Sequence, residues 1–444
     1  MAKLTVLALS LAAIARALVL PEAAVNQAPL GATRDDGPDE AADLHNVMFG
    51  SHHLDNDDDG RSAAESFFNA VSSIRGHIHE DFSQAVADLV GLGYTGDHFG
   101  SPAGHGHHDE SSHTIYELIS KSKYTTKFAR LVDDHPGVVE LLNSTDSNYT
   151  LFVPLDKAFD DIPDDHKKPS KKVVEDALRY HIGLGEYPAK RILHTYTLPT
   201  AHDEELLGGE PQRLRTSVGL GGVKINFYSK VVAADIVAKN GIIHAVNHIL
   251  VPPPYLGRII TLFPDRFSTL LLAYEKTDFV KFIHGVNLKG STVFVPTNRA
   301  FNWLGPRANA FLFNTSKGRK YLKAILKYSI VPNATLYTDA FYDKRDDKDE
   351  KSDDEPLSHE TFDLPTLLGD AHISVDIARV FGFASIKVNG YSRVVVPNGV
   401  GKNGVIQVVN RVPIPPHKGH RHHHSEEHGE IEVSDLIKRL EPYV

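Results

Sequence analysis

The sequence predicts an α+β fold made of two similar domains in tandem. Two observations predict it: segments repeat along the chain at offsets of 142 and 163 residues, and within each copy helical patterns precede strand patterns. The chain has 444 residues, of which 41% are apolar, so it is long enough for two or three domains with cores of their own. Each copy is expected to form a β-sandwich or β-wedge with a cluster of helices.

The repeat is carried by two pairs of matching segments. Residues 223–253, VKINFYSKVVAADIVAKNGIIHAVNHILVPP, align without gaps on residues 386–416, IKVNGYSRVVVPNGVGKNGVIQVVNRVPIPP, with nearly half of the positions identical. TLFVPLDKAF at 150–159 aligns on TVFVPTNRAF at 292–301 with six of ten identical. These alignments place one domain at 114–254 and a second at 265–416, with PPPYLGRIITLFPDR as a short, stiff linker.

Each copy begins with helices. In the first copy, apolar residues recur at helical spacing in TIYELISKS and TKFARL, and in the second copy they do so in FSTLLLAYEKTDFVKFIHG. A short strand, Leu151-Phe152-Val153, follows and is stopped by Pro154. After it comes another helix, KKVVEDALRYHI in the first copy and GRKYLKAILKYSI in the second.

Strand patterns dominate the rest of each copy. Val223, Ile225 and Phe227 alternate with polar residues, which predicts a half-buried strand. The dipeptides Asn240-Gly241 and Asn403-Gly404 predict hairpin turns. The second copy also contains an insert at 343–355 with eight acidic and four basic residues, which is expected to be a disordered loop.

Three regions lie outside the predicted domains. Residues 1–17 combine Lys3, an apolar stretch and Ala15-Arg16-Ala17, which predicts a secretory signal peptide; the alternative is a membrane anchor, which would have to run past Arg16. Residues 18–113 are rich in Asp and His and are expected to be mostly disordered, with one or two short helices. Residues 417–444 form a His-rich C-terminal tail.

Composition excludes several classes of function. The net charge of −10 argues against nucleic-acid binding and against docking on anionic lipid. The absence of cysteine excludes disulfides, thiolate metal sites and cysteine nucleophiles. The sequence also holds no G-x-S-x-G, H-E-x-x-H or P-loop motif, so no catalytic residue and no cofactor is predicted.

Four N-x-S/T sequons follow the signal peptide. In a secreted chain such sequons are plausible glycan sites on surface turns. The asparagines of these predicted glycosylation sites are Asn143, Asn148, Asn314 and Asn333.

The repeated segments resemble the fasciclin (FAS1) domain family. Its first motif is similar to TLFVPLDKAF and TVFVPTNRAF, and its second to NGIIHAVNHILVPP and NGVIQVVNRVPIPP. The resemblance covers about 300 residues, from Thr114 to Pro416, and the overall build is similar to fungal members. It implies a seven-stranded β-wedge with helices, and an extracellular or lumenal adhesion protein that is not an enzyme. Without an anchor in the mature chain, the resemblance points to the cell wall, the matrix or the medium, with the vacuole lumen as the alternative.

The resemblance also points to candidate partner-binding residues. The family carries a Tyr-His pair between its two motifs; the first copy matches it at Tyr180-His181, whereas the second has Tyr328-Ser329. Some members bind partners through an Asp-Ile pair just ahead of the second motif, which is matched here at Asp235 and Ile236. The competing interpretation is that His181 is buried and bonds the backbone near the hairpin, and that Ile236 is core and Asp235 a turn residue.

A different class of function, metal binding, has some support outside the repeat. Of the 26 histidines, ten lie in residues 1–113 and six in residues 417–444, and clusters such as HGHHDESSH and HKGHRHHHSEEH could bind zinc or copper. A solvating or pH-responsive tail explains the same pattern. The segment DNDDDG spells the first half of a calcium loop but lacks the bidentate Glu at its twelfth position. We therefore expect a binding module whose partner is a cell-surface, matrix or wall glycan or protein, with a metal-binding lumenal protein as the alternative.

Overall fold

The computed structural model describes residues 112–160, 169–219, 222–286, 288–338, 358–380, 383–417 and 430–444. The predicted signal peptide, the DNDDDG segment, the acidic insert and most of both His-rich tracts lie outside these residues. The main break between two compact units falls between Pro252 and Pro253. Among the residues described above, none of the helices combines the length and the apolar character that a membrane span requires.

The first domain begins with helices and continues into strands, in the predicted order. Its helices are α1 (Ile115–Lys121), α2 (Thr126–Asp133), α3 (Pro136–Asn143), α4 (Lys171–Tyr180) and the single turn α5 (Ala189–Ile192). Its strands are β1 (Tyr149–Pro154), β2 (Ile182–Leu184), β3 (Thr197–Glu204), β4 (Glu210–Gly219), β5 (Gly222–Ile225), β6 (Ser229–Ala238) and β7 (Gly241–Val246). The seven strands close into a barrel in sequence order, with β1 and β7 pairing in parallel.

The second domain repeats this plan, and three of its seven strands are longer than their counterparts. Its helices are α6 (Leu256–Thr261), α7 (Pro264–Lys276), α8 (Phe279–His284), α9 (Asn298–Asn302), α10 (Pro306–Asn314), α11 (Ser316–Tyr328) and α12 (Val433–Leu440). Its strands are β8 (Ser291–Pro296), β9 (Ile330–Pro332), β10 (Ser358–Thr366), β11 (Gly369–Val380), β12 (Phe383–Val388), β13 (Ser392–Gly401) and β14 (Gly404–Val409). They form a seven-stranded sheet in which β14 pairs in parallel with β8.

Local sequence signals fix several element ends. Thr114 and Glu117 form a capping box at the start of α1, and Ser170 accepts the Val173 N–H at the start of α4. Both predicted hairpins form, because Ala238 pairs with Gly241 and Gly401 pairs with Gly404. A Cβ on Gly241 would lie 1.9 Å from the Tyr149 carbonyl oxygen, so only glycine allows β1 and β7 to approach here.

Three details differ from the sequence-based expectations. The segment predicted as a stiff linker contains helix α6, whose Leu256, Ile259 and Ile260 are buried. Its first turn donates the Leu256 N–H to Asn403 Oδ1, as Ile115 does to Asn240 Oδ1 in the first domain, so α6 is the counterpart of α1.

The other two differences concern strand and domain ends. Strand β5 stops at Ile225 because Asn226 takes a left-handed conformation with φ of 55°, and Phe227 lies in an exposed turn. At the C-terminus, α12 buries Leu436 and Leu440 completely. The tail predicted from residue 417 onward therefore ends in a helix that packs on the second domain, against α10 and α11.

Candidate functional site

The Tyr180-His181 pair lies where α4 ends and β2 begins, deep in the first domain. The His181 side chain is only 1% exposed. Its Nδ1–H donates to the Ala177 carbonyl oxygen at 2.7 Å, and its Nε2 accepts the Leu250 backbone N–H at 2.9 Å. Because a carbonyl only accepts and a backbone N–H only donates, these partners fix the neutral ring and its tautomer.

This environment disfavours a charge on His181. Burial lowers the pKa of its imidazole to about 4, against a smaller opposing effect of the hydrogen bond to Ala177. The ring therefore links the end of α4 to the segment after β7 and is not presented to a partner at the surface.

The second domain shows why its sequence departs from the Tyr-His pair. Ser329 occupies the position of His181, and its Oγ donates to the Ile325 carbonyl at 3.0 Å, which reproduces one of the two histidine bonds. The other bond is not needed, because Pro413 stands at the position of Leu250 and has no backbone N–H. His181 is thus paired with Leu250, 69 positions downstream, which offers a backbone N–H. Ser329 is paired with Pro413, 84 positions downstream, which does not.

Tyr180 has a structural role that both domains share. Its hydroxyl donates to the Arg213 carbonyl at 3.0 Å and accepts from Asn226 Nδ2 at 3.2 Å. In the second domain the Tyr328 hydroxyl donates to the His372 carbonyl at 2.9 Å and accepts from Asn389 Nδ2 at 3.0 Å. The paired asparagines are both in left-handed turns, so each tyrosine ties a helix end to a strand turn.

Asp235 and Ile236 lie at an irregularity in β6, and their side chains are in different environments. Ile236 is buried in the core, while Asp235 is exposed with φ of 59°. The Asp235 carboxylate accepts the Ala189 N–H at 2.8 Å at the start of α5, and its own backbone N–H donates to His244 Nδ1 at 3.2 Å. Of the four candidate partner residues, Asp235 is the one whose side chain reaches solvent.

His244 is a buried residue that the sequence patterns did not single out. It is 0% exposed, and its Nε2–H donates to the Tyr187 carbonyl at 2.8 Å while Nδ1 accepts from Asp235. Burial lowers the pKa of His244, opposed by the bond to Tyr187 and by the Asp235 charge.

In the second domain Gln407 makes the hydrogen bonds that correspond to those of His244. Its Oε1 accepts the Asn398 N–H at 3.1 Å, and its Nε2 donates to the Leu336 carbonyl at 3.0 Å. Asn398 in turn accepts the Thr338 N–H at 3.1 Å, as Asp235 does for Ala189. The one available sequence signal is the exchange of His for Gln in the aligned blocks NGIIHAVN and NGVIQVVN.

The sequons differ in accessibility. Asn148, Asn314 and Asn333 are exposed. Asn143 is half-buried at the end of α3, and its Oδ1 accepts the Thr114 hydroxyl at 2.8 Å. A glycan on Asn143 would have to be attached at Nδ2 of a side chain that is less accessible than the other three asparagines.

Within the described ranges, no group of three or more His, Asp or Glu side chains is arranged to hold a metal ion. His417, at the start of the C-terminal tract, instead bonds Asp435 Oδ1 at 2.8 Å and so contacts α12. The remaining histidines of that tract lie outside the described residues.

Two stretches of the chain match a known domain family. The model of the Fasciclin domain matches residues 123–252 and again 265–415. A domain pair of the insect cell adhesion molecule Fasciclin I aligns over 64% of this chain and 95% of that chain, at 18% identity and a TM-score of 0.31.

Curated relatives come from fungi and animals. Aurofusarin biosynthesis cluster protein S of Gibberella zeae is 27% identical over 78% of this chain and 89% of its own length. Stabilin-2 of Rattus norvegicus is 28% identical over 49% of the chain, and transforming growth factor-beta-induced protein ig-h3 of Oryctolagus cuniculus is 30% identical over 50%. The chain spans only 15% and 29% of those two animal proteins. With two matches that together cover more than half of its length, the chain belongs to the fasciclin domain family.

Proposed function

We propose that this protein is a secreted, N-glycosylated binding module that mediates adhesion at the cell surface, in the wall or in the matrix. The observation that carries the proposal is the pair of complete fasciclin domains in one chain. Fasciclin-domain proteins act in cell adhesion and are extracellular or secreted. Two linked modules add avidity, because the second binding event becomes intramolecular.

The burial of the four candidate residues limits which surfaces are available for partner binding. Tyr180, His181 and Ile236 are buried inside the first domain. A partner would therefore contact Asp235 and the surface around it, and not the three buried residues. Glycans at Asn148, Asn314 and Asn333 would cover their own neighbourhoods and restrict partners to other faces.

The test compares cells that produce the protein with cells that lack it. We expect altered adhesion in cells that lack the protein. In cells that produce it, we expect the protein in the wall or medium fraction, in a form whose apparent mass decreases on glycosidase treatment. Unchanged adhesion, combined with no partner captured on a glycan array or by pull-down, would contradict the proposal. Recovery in the vacuole lumen would support the alternative location.

A second candidate is an accessory role in small-molecule biosynthesis. It is favoured by the fungal relative, which aligns over nearly its whole length and is named for a biosynthesis cluster. Metabolite profiling of cells lacking the protein separates the two roles: loss of a product with normal adhesion supports the accessory role.

Metal binding by the His-rich tracts stays a third proposal. Its support is the placement of sixteen of 26 histidines in residues 1–113 and 417–444. Zinc or copper titration of the full chain and of a chain lacking residues 418–429 tests the C-terminal tract. Equal stoichiometry in both would eliminate a role for that tract.

A further inference from the structure

Helix α11 of the second domain is strongly basic. Its thirteen residues, SKGRKYLKAILKY, contain five basic residues and no acidic residue, although the whole chain has a net charge of −10. Tyr321, Leu322 and Ile325 on the inner face are buried. Lys320, Lys323 and Lys327 lie on the other side, and we call these three residues the lysine stripe.

The lysine stripe has a defined geometry. Positions three and four apart share one face of a helix, so the three lysines are attached along a line about 10 Å long on that face. Two of them converge on one ring of α8: Lys327 Nζ lies 4.6 Å and Lys323 Nζ 5.3 Å from the centre of Phe282. Each ring contact holds an ammonium group near the aromatic surface.

Comparison with the first domain shows that this charge is not a requirement of the fold. Helix α4 is the counterpart of α11, and its Arg179 pairs with Glu175 at 3.0 Å across one helical turn. The aligned positions in α11 are Lys327 and Lys323. A favourable ion pair is thus replaced by two like charges, which repel each other in the isolated helix.

The lysine stripe has no acidic partner within the part of the chain that the structure describes: neither Lys320, Lys323 nor Lys327 makes an ion pair there. At physiological ionic strength charges beyond about 8 Å are largely screened, so the overall negative charge does not cancel this local field. The stripe therefore attracts an anion that approaches along its line.

We propose that the lysine stripe binds an anionic polysaccharide, whose carboxylate or sulfate groups follow one another along a flexible chain. This inference deepens the proposed adhesion role and rests on it. A flexible linear polyanion can follow the stripe, whereas an extended anionic membrane would also face the acidic remainder of the protein. The linear arrangement favours the polysaccharide, and the net charge of −10 disfavours an extended anionic membrane surface.

The first experiment measures binding of the purified full chain to two probes, heparin for sulfate and polygalacturonate for carboxylate, at several salt concentrations. We expect binding that weakens as salt is raised, and little binding to uncharged dextran. Preference between the two probes identifies the anionic group. Absence of binding to both at low salt, or binding to phosphatidylserine vesicles but to neither polysaccharide, would overturn the inference.

The decisive variant is Lys323→Glu, which rebuilds in α11 the ion pair found in α4. Because the helix then gains an attractive pair, thermal stability should hold or rise while affinity falls about thirtyfold for the change of two charge units. The matched control is Lys171→Glu, which makes the same charge change at an exposed position of α4 and should leave affinity within about twofold. Equal losses in both variants would show that only net charge matters and would refute the stripe.

The proposed adhesion role can survive failure of this inference. Cells that lack the protein could lose adhesion while the purified protein binds neither polysaccharide. That combination would support the adhesion role with a different partner. Cells that carry Lys323→Glu should adhere less than cells that carry Lys171→Glu. Normal adhesion with Lys323→Glu would count against a role for the stripe in adhesion.

Discussion

Acidification should destabilise the first domain much more than the second. The first domain contains two buried histidines, His181 and His244, that each accept a backbone N–H on one ring nitrogen. Protonation would remove that acceptor and leave two N–H groups facing each other. The counterparts in the second domain, Ser329 and Gln407, do not titrate.

The magnitude follows from the pKa of His181. An ordinary histidine has a pKa of 6.5, and that of His181 is lowered to about 4 in the folded domain. Since the folded pKa is the lower one, the stability contribution is complete above pH 6.5 and is lost as the pH falls toward 4. At 1.36 kcal/mol per pKa unit, the loss is about 2 kcal/mol at pH 5 and approaches about 3 kcal/mol below pH 4. His244, whose pKa is also lowered, adds to this loss.

The assay is scanning calorimetry of the full chain between pH 7 and pH 4.5. The only tryptophan, Trp303, lies in the second domain, so its fluorescence assigns that domain's transition independently. A loss of 2 kcal/mol should lower the midpoint of the first domain by about 6 to 10 °C between pH 7 and pH 5. The second domain should shift much less over the same range.

A variant separates the histidines from other titrating groups. His244→Gln installs the amide that the second domain uses at Gln407, and His181→Gln replaces the other ring by a group that does not titrate. Their combination should reduce the pH dependence of the first transition, whatever its effect on stability at pH 7. A first-domain midpoint that is constant with pH, an equal shift of both domains, or an unchanged slope in the double variant would refute the reasoning.

Three further predictions can be checked on the same protein. Gly241→Ala places a Cβ against the Tyr149 carbonyl and requires a strained φ of 144°, so it should lower the first-domain midpoint by at least about 10 °C and leave the Trp303 transition in place. Substitutions of the exposed sequon asparagines at 148, 314 and 333 by Gln should each lower the apparent mass of the glycoprotein on denaturing gels by one glycan. Substitution of the half-buried asparagine at 143 should change the apparent mass least. Asp235→Asn copies Asn398 and should change the free energy of unfolding by less than about 0.5 kcal/mol; a loss of adhesion at unchanged stability would identify Asp235 as a partner contact, and unchanged adhesion would assign it a structural role only.

The fold could be predicted in outline because its signals are local. The Asn-Gly hairpins, the short strand before Pro154 and the helical spacing of α1, α2, α4 and α7 are all readable within about ten residues. Helices α3, α6 and α10 were missed because each starts beside proline or glycine and offers only one or two turns. Short helices form through tertiary packing, which a local pattern does not contain.

The candidate site could be predicted only in part. The resemblance located Tyr180, His181, Asp235 and Ile236, but their environments depend on partners 33 to 69 residues away, such as Arg213, Ala189 and Leu250. His244 gave no motif of its own. The two interpretations of His181, surface contact or buried link, differ only in what surrounds the ring.

By itself, the sequence determined the family, the two-domain organisation, the absence of disulfides and the excess of histidine outside the domains. It could do so because composition, repeats and turn signals depend on residues close together in the chain. Only the tertiary structure decided that most motif residues are internal links, that Ser329 is matched to Pro413, and that the charges of α11 are without ion pairs in the described part of the chain. Those properties depend on burial and on hydrogen-bond and charge partners brought together from distant positions, and folding alone establishes them.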